Sequence, residues 1–209
     1  MCRAQDVETF INDDVWVLVG ETYRPSDDSY ALLEASKDIV ASVATNRRML
    51  ELLEIGAGSG YVALSLAYKR FNTYVIAVDI SPCAVESCRR NAILRGIYDR
   101  VDVVQCDAAK CIRSKAVVMV LFNPPYLPVE EFDTWYGISW SGGIEGDAIS
   151  LRFLVEGIRC ARNVLAFVIS SIQRLDRIFR EVLSSCREIA ITECRHFFYE
   201  TICCIVCWV

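Results

Sequence analysis

Histidine is almost missing from this chain: His196 is the only one in 209 residues. A zinc site built from mixed cysteine and histidine pairs therefore has little to draw on. Eleven cysteines are present, and Cys204 and Cys207 form one Cys-x-x-Cys spacing beside Cys203, but no second such pair accompanies them. Strand side chains alternate, so Cys204 and Cys207 face opposite ways and do not converge on one ion. The cysteines read as small apolar core residues and no metal is expected. Glutamine is scarce as well (Gln5, Gln105 and Gln173), a composition that fits a hot source, where cytosolic disulfides are also found.

No apolar run is long enough to span a bilayer. The opening MCRAQDVETF lacks the charged-then-apolar pattern of a secretion signal. A soluble, cytoplasmic protein that engages no membrane is expected. No Pro-, Gly- or Ser-rich linker, long charge run or internal repeat divides the chain. A 54% hydrophobic sequence of this length can bury one sizeable core, so residues 1–209 are expected to form a single α/β domain. A basic excess is missing too: the formal net charge is −5, which offers nucleic acid no generic attraction. The short pairs Arg47-Arg48, Lys69-Arg70 and Arg89-Arg90 read as solvated faces rather than phosphate contacts.

What is present is alternation of short apolar runs with helix-length segments. Arg24-Pro25-Ser26-Asp27-Asp28 reads as a helix start, with proline in the first turn and acidic residues suited to the helix dipole. Leu32, Leu33, Ile39, Val40 and Val43 follow at helical spacing. Strands are expected at Leu50–Ile55, Tyr74–Val78, Val101–Gln105, Val117–Phe122 and Val164–Ser170. Further helices are expected from about Tyr61, after the Ser81-Pro82 cap, over about Asp147–Arg162 and over about Gln173–Ser185. The stretch Pro124–Gly146 reads as an irregular loop. Glu188–Phe197 and Thr201–Trp208 close the chain as an antiparallel hairpin. Strands as apolar as VVMVLF and VLAFVIS belong in a mostly parallel sheet covered on both faces. Ligands on such sheets bind beyond the carboxyl ends of the strands. Glu54, Asp79, Asp107 and Asn123 all fall there.

The first expected strand runs into Gly56-Ala57-Gly58-Ser59-Gly60, a Gly-x-Gly-x-Gly turn that lets a ligand approach the backbone closely. By itself it is equally an ordinary strand-to-helix turn. Asp79 ends the next strand, where a carboxylate can accept hydrogen bonds from both hydroxyls of a ribose. Asp107 follows the third strand, either as an adenine contact or as a loop residue. Glu54 distinguishes the ligands these parts suit: a carboxylate beside the turn attracts a cationic centre and repels a pyrophosphate. The third glycine also comes one residue too early for a dinucleotide turn.

Asn123-Pro124-Pro125-Tyr126 follows the fourth strand. Consecutive prolines stiffen the backbone and carry no N–H, leaving the Pro124 carbonyl fixed as an acceptor beside the Asn123 side-chain oxygen. Two fixed acceptors can hold a planar –NH2 by both hydrogens while Tyr126 stacks on it. That matters for an amide nitrogen, whose delocalised lone pair must be aimed to react.

Together these motifs resemble the class I methyltransferases of the HemK group, which modify the glutamine of the Gly-Gly-Gln loop in peptide-chain release factors. The eukaryotic and archaeal branch is the more similar. Its Tyr-x-Pro-(Ala/Ser)-(Glu/Asp)-Asp-(Thr/Ser) entrance is matched by Tyr23–Ser29, and its Trp-x-Gly-Gly-x-x-Gly loop by Trp140–Gly146. The resemblance runs from about Tyr23 to Trp208. It implies a Rossmann-like fold with a mostly parallel seven-stranded sheet and S-adenosylmethionine as cofactor. Cofactor contacts are implied for Tyr23, Pro25, Asp28, Ser29, Glu54, Gly56, Gly58, Gly60, Asp79, Ile80, Asp107, Ala108 and Asn123. Catalysis is implied for Asn123, Pro124, Pro125 and Tyr126, with Asn123 and Pro124 on the glutamine amide and Tyr126 and Trp140 also at the substrate. A small zinc-containing activator subunit of the Trm112 type is implied at the sheet edge Val101–Gln105. Arg24, where the branch commonly has an acidic residue, and Ala108, where a larger apolar residue is frequent, depart from the pattern. The Trp140–Gly146 loop reads as a lid whose glycines act as hinges. Two other readings stand beside glutamine methylation. One is adenine-N6 methylation of a flipped base, which the acidic charge and short length disfavour. The other is a non-catalytic cofactor-binding scaffold, which the intact tetrad disfavours.

Overall fold

The structure is a computed structural model that describes residues 7–11, 14–44, 49–68 and 72–209. The pairs Arg47-Arg48 and Lys69-Arg70, and the leader reading of residues 1–6, lie outside the described residues. Two strands, β1 (Val7–Ile11) and β2 (Asp14–Leu18), pair antiparallel ahead of the first helix, α1 (Asp27–Ala44). Then come β3 (Leu50–Ile55), α2 (Tyr61–Tyr68), β4 (Thr73–Asp79), α3 (Pro82–Leu94), β5 (Val101–Gln105) and β6 (Val117–Phe122). A short α4 (Trp135–Ile138) and a longer α5 (Ala148–Cys160) lead to β7 (Ala161–Ser170), α6 (Leu175–Ser185), β8 (Glu188–His196) and β9 (Thr201–Trp208).

The seven-stranded sheet has the order β5-β4-β3-β6-β7-β9-β8. Pairs from β5 to β7 are parallel; β9 runs antiparallel to both its neighbours. This is the α/β architecture expected from the sequence. Alternation along the strands feeds two separate cores. Leu50 and Leu52 of β3 face a cluster shared with α1 and α2, including Leu32, Val40 and Leu64. Leu53 and Ile55 face the other layer, with Phe153 and Leu154 of α5 and Ile178 and Val182 of α6. Every residue of β6 is buried, as a central strand covered on both faces requires. Strand order reverses between β3 and β6, and that crevice is where α/β sheets hold ligands.

Three sequence expectations need correction. The Pro124–Gly146 stretch is not wholly irregular, because Thr134 caps α4 by accepting the Gly137 N–H at 2.9 Å. The expected Asp147–Arg162 helix ends at Cys160, and Ala161 and Arg162 already belong to β7. The cysteines are not all core thiols: Cys106–Cys111, Cys186–Cys207 and Cys194–Cys203 are disulfides, while Cys88, Cys160 and Cys204 are free and buried. Cys204 faces one core and Cys207 the other, the alternation expected of β9. Arg89 and Arg90 both bond the Glu86 carboxylate, at 2.8 and 2.7 Å. Among the described residues no helix is long and apolar enough to cross a membrane.

The β1–β2 hairpin went unassigned from sequence. Two β-prone runs, VETFI and DVWVL, flank Asn12-Asp13, which is turn chemistry and the signal that marks it. It clamps onto α3. Asn91, fully buried, accepts the Val17 N–H at 2.8 Å and donates to the Val17 carbonyl and to the Ser59 carbonyl, at 2.9 and 3.0 Å. One side chain thus ties the hairpin to the glycine turn.

Candidate active site

A cavity of about 420 Å³ opens where β3, β4 and β6 end. Its lining includes the entrance residues Tyr23, Pro25, Asp28 and Ser29, the turn residues Gly56 and Gly58, Glu54, Asp79, Ile80, Asp107, Ala108, Trp140 and the whole Asn123–Tyr126 tetrad. Gly60 does not line it. The glycine is required there because a Cβ at Gly60 would meet Cys88 Sγ at 2.6 Å and Leu64 Cδ1 at 2.8 Å, so its role is helix packing. Gly58 differs: its φ is +56° and a Cβ would meet nothing within 4 Å. Gly58 thus presents bare backbone to the cavity.

Glu54 is buried and accepts the Ala63 N–H at 2.9 Å. It has no ion-pair partner among the described residues. Burial raises its pKa to about 8, and the nearby Asp79 adds to the rise. Asp79 is anchored on both oxygens: one accepts the Gly58 N–H at 2.8 Å and the other the Ser81 N–H at 2.9 Å. Burial pushes the Asp79 carboxyl up, against those bonds. Each oxygen keeps acceptor capacity toward the cavity. Asp107, which could have been either a ligand contact or a loop residue, forms ion pairs with Lys110 and with Arg152 of α5. Those two cations hold its pKa below the usual carboxylate value. Ala108 beside it adopts φ +51°, and the Cys106–Cys111 disulfide closes the loop that carries both.

The tetrad is tied to the entrance segment through Asp28. Its Oδ2 accepts from Tyr23 Oη at 3.0 Å and from Tyr126 Oη at 3.3 Å, and its Oδ1 accepts the Ser29 N–H at 2.6 Å. Burial, reinforced by the Asp28 charge, raises the pKa of both phenols. Tyr126 is therefore a neutral donor with its ring orientation fixed. Asn123 Oδ1 is buried and has no hydrogen-bond partner among the described residues. An unpaired buried acceptor costs about 1–3 kcal/mol, so one on a side chain that lines the cavity is best explained by a donor that arrives with a ligand.

The loop from Trp140 to Gly146 packs tightly around the tetrad. Leu127 donates its N–H to the Trp140 carbonyl at 3.0 Å and accepts the Gly142 N–H at 2.8 Å. A Cβ on Gly146 would sit 2.4 Å from the Tyr126 carbonyl oxygen, and one on Gly142 would sit 2.5 Å from the Gly146 carbonyl oxygen. These glycines permit close backbone approach. Gly146 also has φ +70°. Gly146→Ala is expected to cost about 1–3 kcal/mol of strain, seen as a fall in Tm. Displacing the tetrad should also lower turnover roughly ten- to a hundredfold. Unchanged kinetics would show that the tetrad does not depend on this contact.

Several lining residues were not singled out from sequence. Phe153 packs its ring 3.0 Å from where a Gly56 Cβ would lie; it is held by an edge contact to Phe122, centroids 6.1 Å apart. Glu21 accepts the Trp135 N–H at 2.9 Å and so caps α4 across the cavity mouth. Neither contact leaves a local pattern in the chain.

Comparison with known proteins agrees with this geometry. Residues 29–136 match the methyltransferase small domain family. A Methanocaldococcus jannaschii protein named as a protein N5-glutamine methyltransferase is 32% identical over 139 residues, which cover 65% of this chain. A release factor glutamine methyltransferase of Chlorobaculum tepidum is 32% identical over 115 residues, 53% of this chain. The chain spans 64% and 39% of those two relatives' lengths. Among solved structures, the E. cuniculi Mtq2-Trm112 complex, described as responsible for methylating the eRF1 translation termination factor, superposes with a TM-score of 0.67 at 22% identity. It covers 90% of this chain and 98% of the solved one.

Proposed function

Because the chain belongs to the methyltransferase small domain family, we propose that it transfers a methyl group from S-adenosylmethionine to the side-chain amide of a glutamine, in the Gly-Gly-Gln loop of a peptide-chain release factor. The observation that carries this reading is Asn123 Oδ1, buried, unpartnered and beside two prolines. The cofactor supplies a methyl carbon on a sulfonium, already activated for displacement. Residues present in the cavity fit it: Glu54 offers a buried carboxylate to a cationic group, Asp79 offers acceptors to ribose hydroxyls, and Gly58 offers close approach. Asp107 and Ala108, which also line the cavity, would border the base.

On the acceptor side, Asn123 Oδ1 and the Pro124 carbonyl accept the two amide hydrogens. That grip directs the nitrogen lone pair at the methyl carbon and favours the positive charge that develops on nitrogen. Tyr126, anchored on Asp28, walls the amide plane. Neutral Asn123 and Tyr126 are weak bases, so the nitrogen proton leaves after transfer, when methylation has made it acidic, and passes to water. Glu21 and Asp28, both lining the cavity, give it a negative character that suits a protein acceptor better than a phosphate backbone.

The remaining parts of the reading follow. Residues 1–209 act as one domain and work in the cytoplasm, where release factors are found. A small zinc-binding activator of the Trm112 type pairs with β5, an edge strand of the sheet. The test is transfer of a labelled methyl group, with activator present, to release factor and in parallel to adenine-containing oligonucleotides. Label on release factor supports the proposal. Label on the oligonucleotide alone, or on neither, overturns it.

A further inference from the structure

The turn between β8 and β9 holds two aromatic residues in solvent: Phe198 is 90% exposed and Tyr199 87%. Their rings meet edge to face with centroids 4.5 Å apart, and neither joins either core cluster. The turn is nonetheless firmly held. Phe197 donates its N–H to the Glu200 carbonyl at 2.7 Å, and Thr201 exchanges bonds with Ser171 through its N–H and its carbonyl, both at 2.9 Å. Glu200 accepts from Ser170 Oγ at 2.6 Å. These bonds pin the turn to the carboxyl end of β7, the strand next to β6. With strands about 4.8 Å apart, the turn stands roughly 10–15 Å to the side of Asn123, and, lying beyond the level of Cys204 that Asn123 matches, roughly 15 Å farther out at the same end of the sheet. Arg195 of β8 also bonds Asp27 at 2.8 Å, at the start of the helix that carries Asp28. The charge of Glu200 is felt by both Tyr23 and Tyr126. The aromatic turn and the acceptor pocket therefore share one rim.

We propose that Phe198 and Tyr199 form the docking platform for the main chain flanking the methyl-accepting side chain, an extended, glycine-containing polypeptide segment that bears a cationic residue. The inference rests on the reading of the chain as a protein-glutamine methyltransferase. A side chain that enters the cavity leaves its own backbone lying on the rim. Peptide planes without a Cβ between them lie flat on aromatic rings. The half-buried carboxylate of Glu200 complements a cationic side chain, and the ring faces attract one as well. Exposed aromatic pairs of this kind are the usual anchors of protein recognition.

The test is steady-state methylation of full-length release factor by enzyme with its activator, comparing wild type with F198A/Y199A. Both side chains are outside the cores, so the variant is expected to fold and to bind S-adenosylmethionine as wild type does by calorimetry. KM for the protein acceptor should rise about tenfold with kcat within roughly twofold, and F198Y/Y199F should restore it. An unchanged KM in F198A/Y199A, with normal wild-type turnover, overturns the inference alone. Failure of the wild-type enzyme to methylate release factor defeats the underlying reading, and this inference with it.

Discussion

Asn123→Ala is expected to lower methyl transfer by about a hundred- to a thousandfold, the scale for removing one preorganised group at a developing charge. The variant loses the buried acceptor that the fold leaves unpaired. It loses nothing that holds the rest of the tetrad, since Tyr126 is anchored separately on Asp28. Donor affinity measured by calorimetry should fall far less than turnover, because Glu54, Asp79 and the glycine turn still hold the donor. The fall should therefore be mainly in kcat. Asn123→Asp makes a sharper comparison. It keeps the size and an acceptor oxygen but brings a charge, or a proton, into a buried position. An Asn123→Ala enzyme that retains wild-type turnover would leave the tetrad without its assigned role.

Glu54 gives the second large effect, through pH. Its pKa is raised to about 8 by burial. Below that pH the free enzyme holds the carboxyl neutral, whereas a cationic donor favours it ionised. Binding must then expel a proton. Affinity for S-adenosylmethionine is expected to climb with pH, approaching tenfold per unit, and to level off above about 8. Calorimetry in buffers of different ionisation enthalpy reads the released proton directly. Glu54→Gln cannot ionise; it should bind more weakly and lose this pH dependence. The same group acts on stability with the opposite trend. Its folded pKa lies above the unfolded value of 4.5, so the unfolded chain gives up the proton first as pH rises. Stability from this residue is present below about 4.5 and drains away toward about 8. Glu54→Gln should flatten that decline. Donor binding without proton release, or an equal slope in the variant, would contradict the assignment.

The parts of the site that could be read from the chain are those that depend on position along a strand. Glu54, Asp79 and Asn123 line the cavity because they stand at or just after the carboxyl ends of parallel strands, where such sheets open toward ligands. The sheet was legible for a similar reason, since runs such as VVMVLF fit only a strand covered on both faces. What escaped depends on tertiary contact. Gly60 reads as part of a ligand turn, yet its missing Cβ makes room for Cys88 and Leu64. The glycines after Trp140 look like hinges in one dimension, and in three they let the loop touch the Tyr126 carbonyl. Glu21 caps a helix 114 residues away, and Phe153 meets the glycine turn only because α5 packs on β6. One disulfide follows from strand pairing, not from spacing: Cys194 and Cys203 meet because β8 and β9 form a hairpin.

Tandem mass spectrometry of the Gly-Gly-Gln peptide, after release factor has been incubated with enzyme, activator and donor, addresses the two-oxygen grip most directly. One methyl group on the glutamine side-chain nitrogen is expected. A methyl group on a lysine or any other residue, or an unmodified peptide from an otherwise active enzyme, would contradict it.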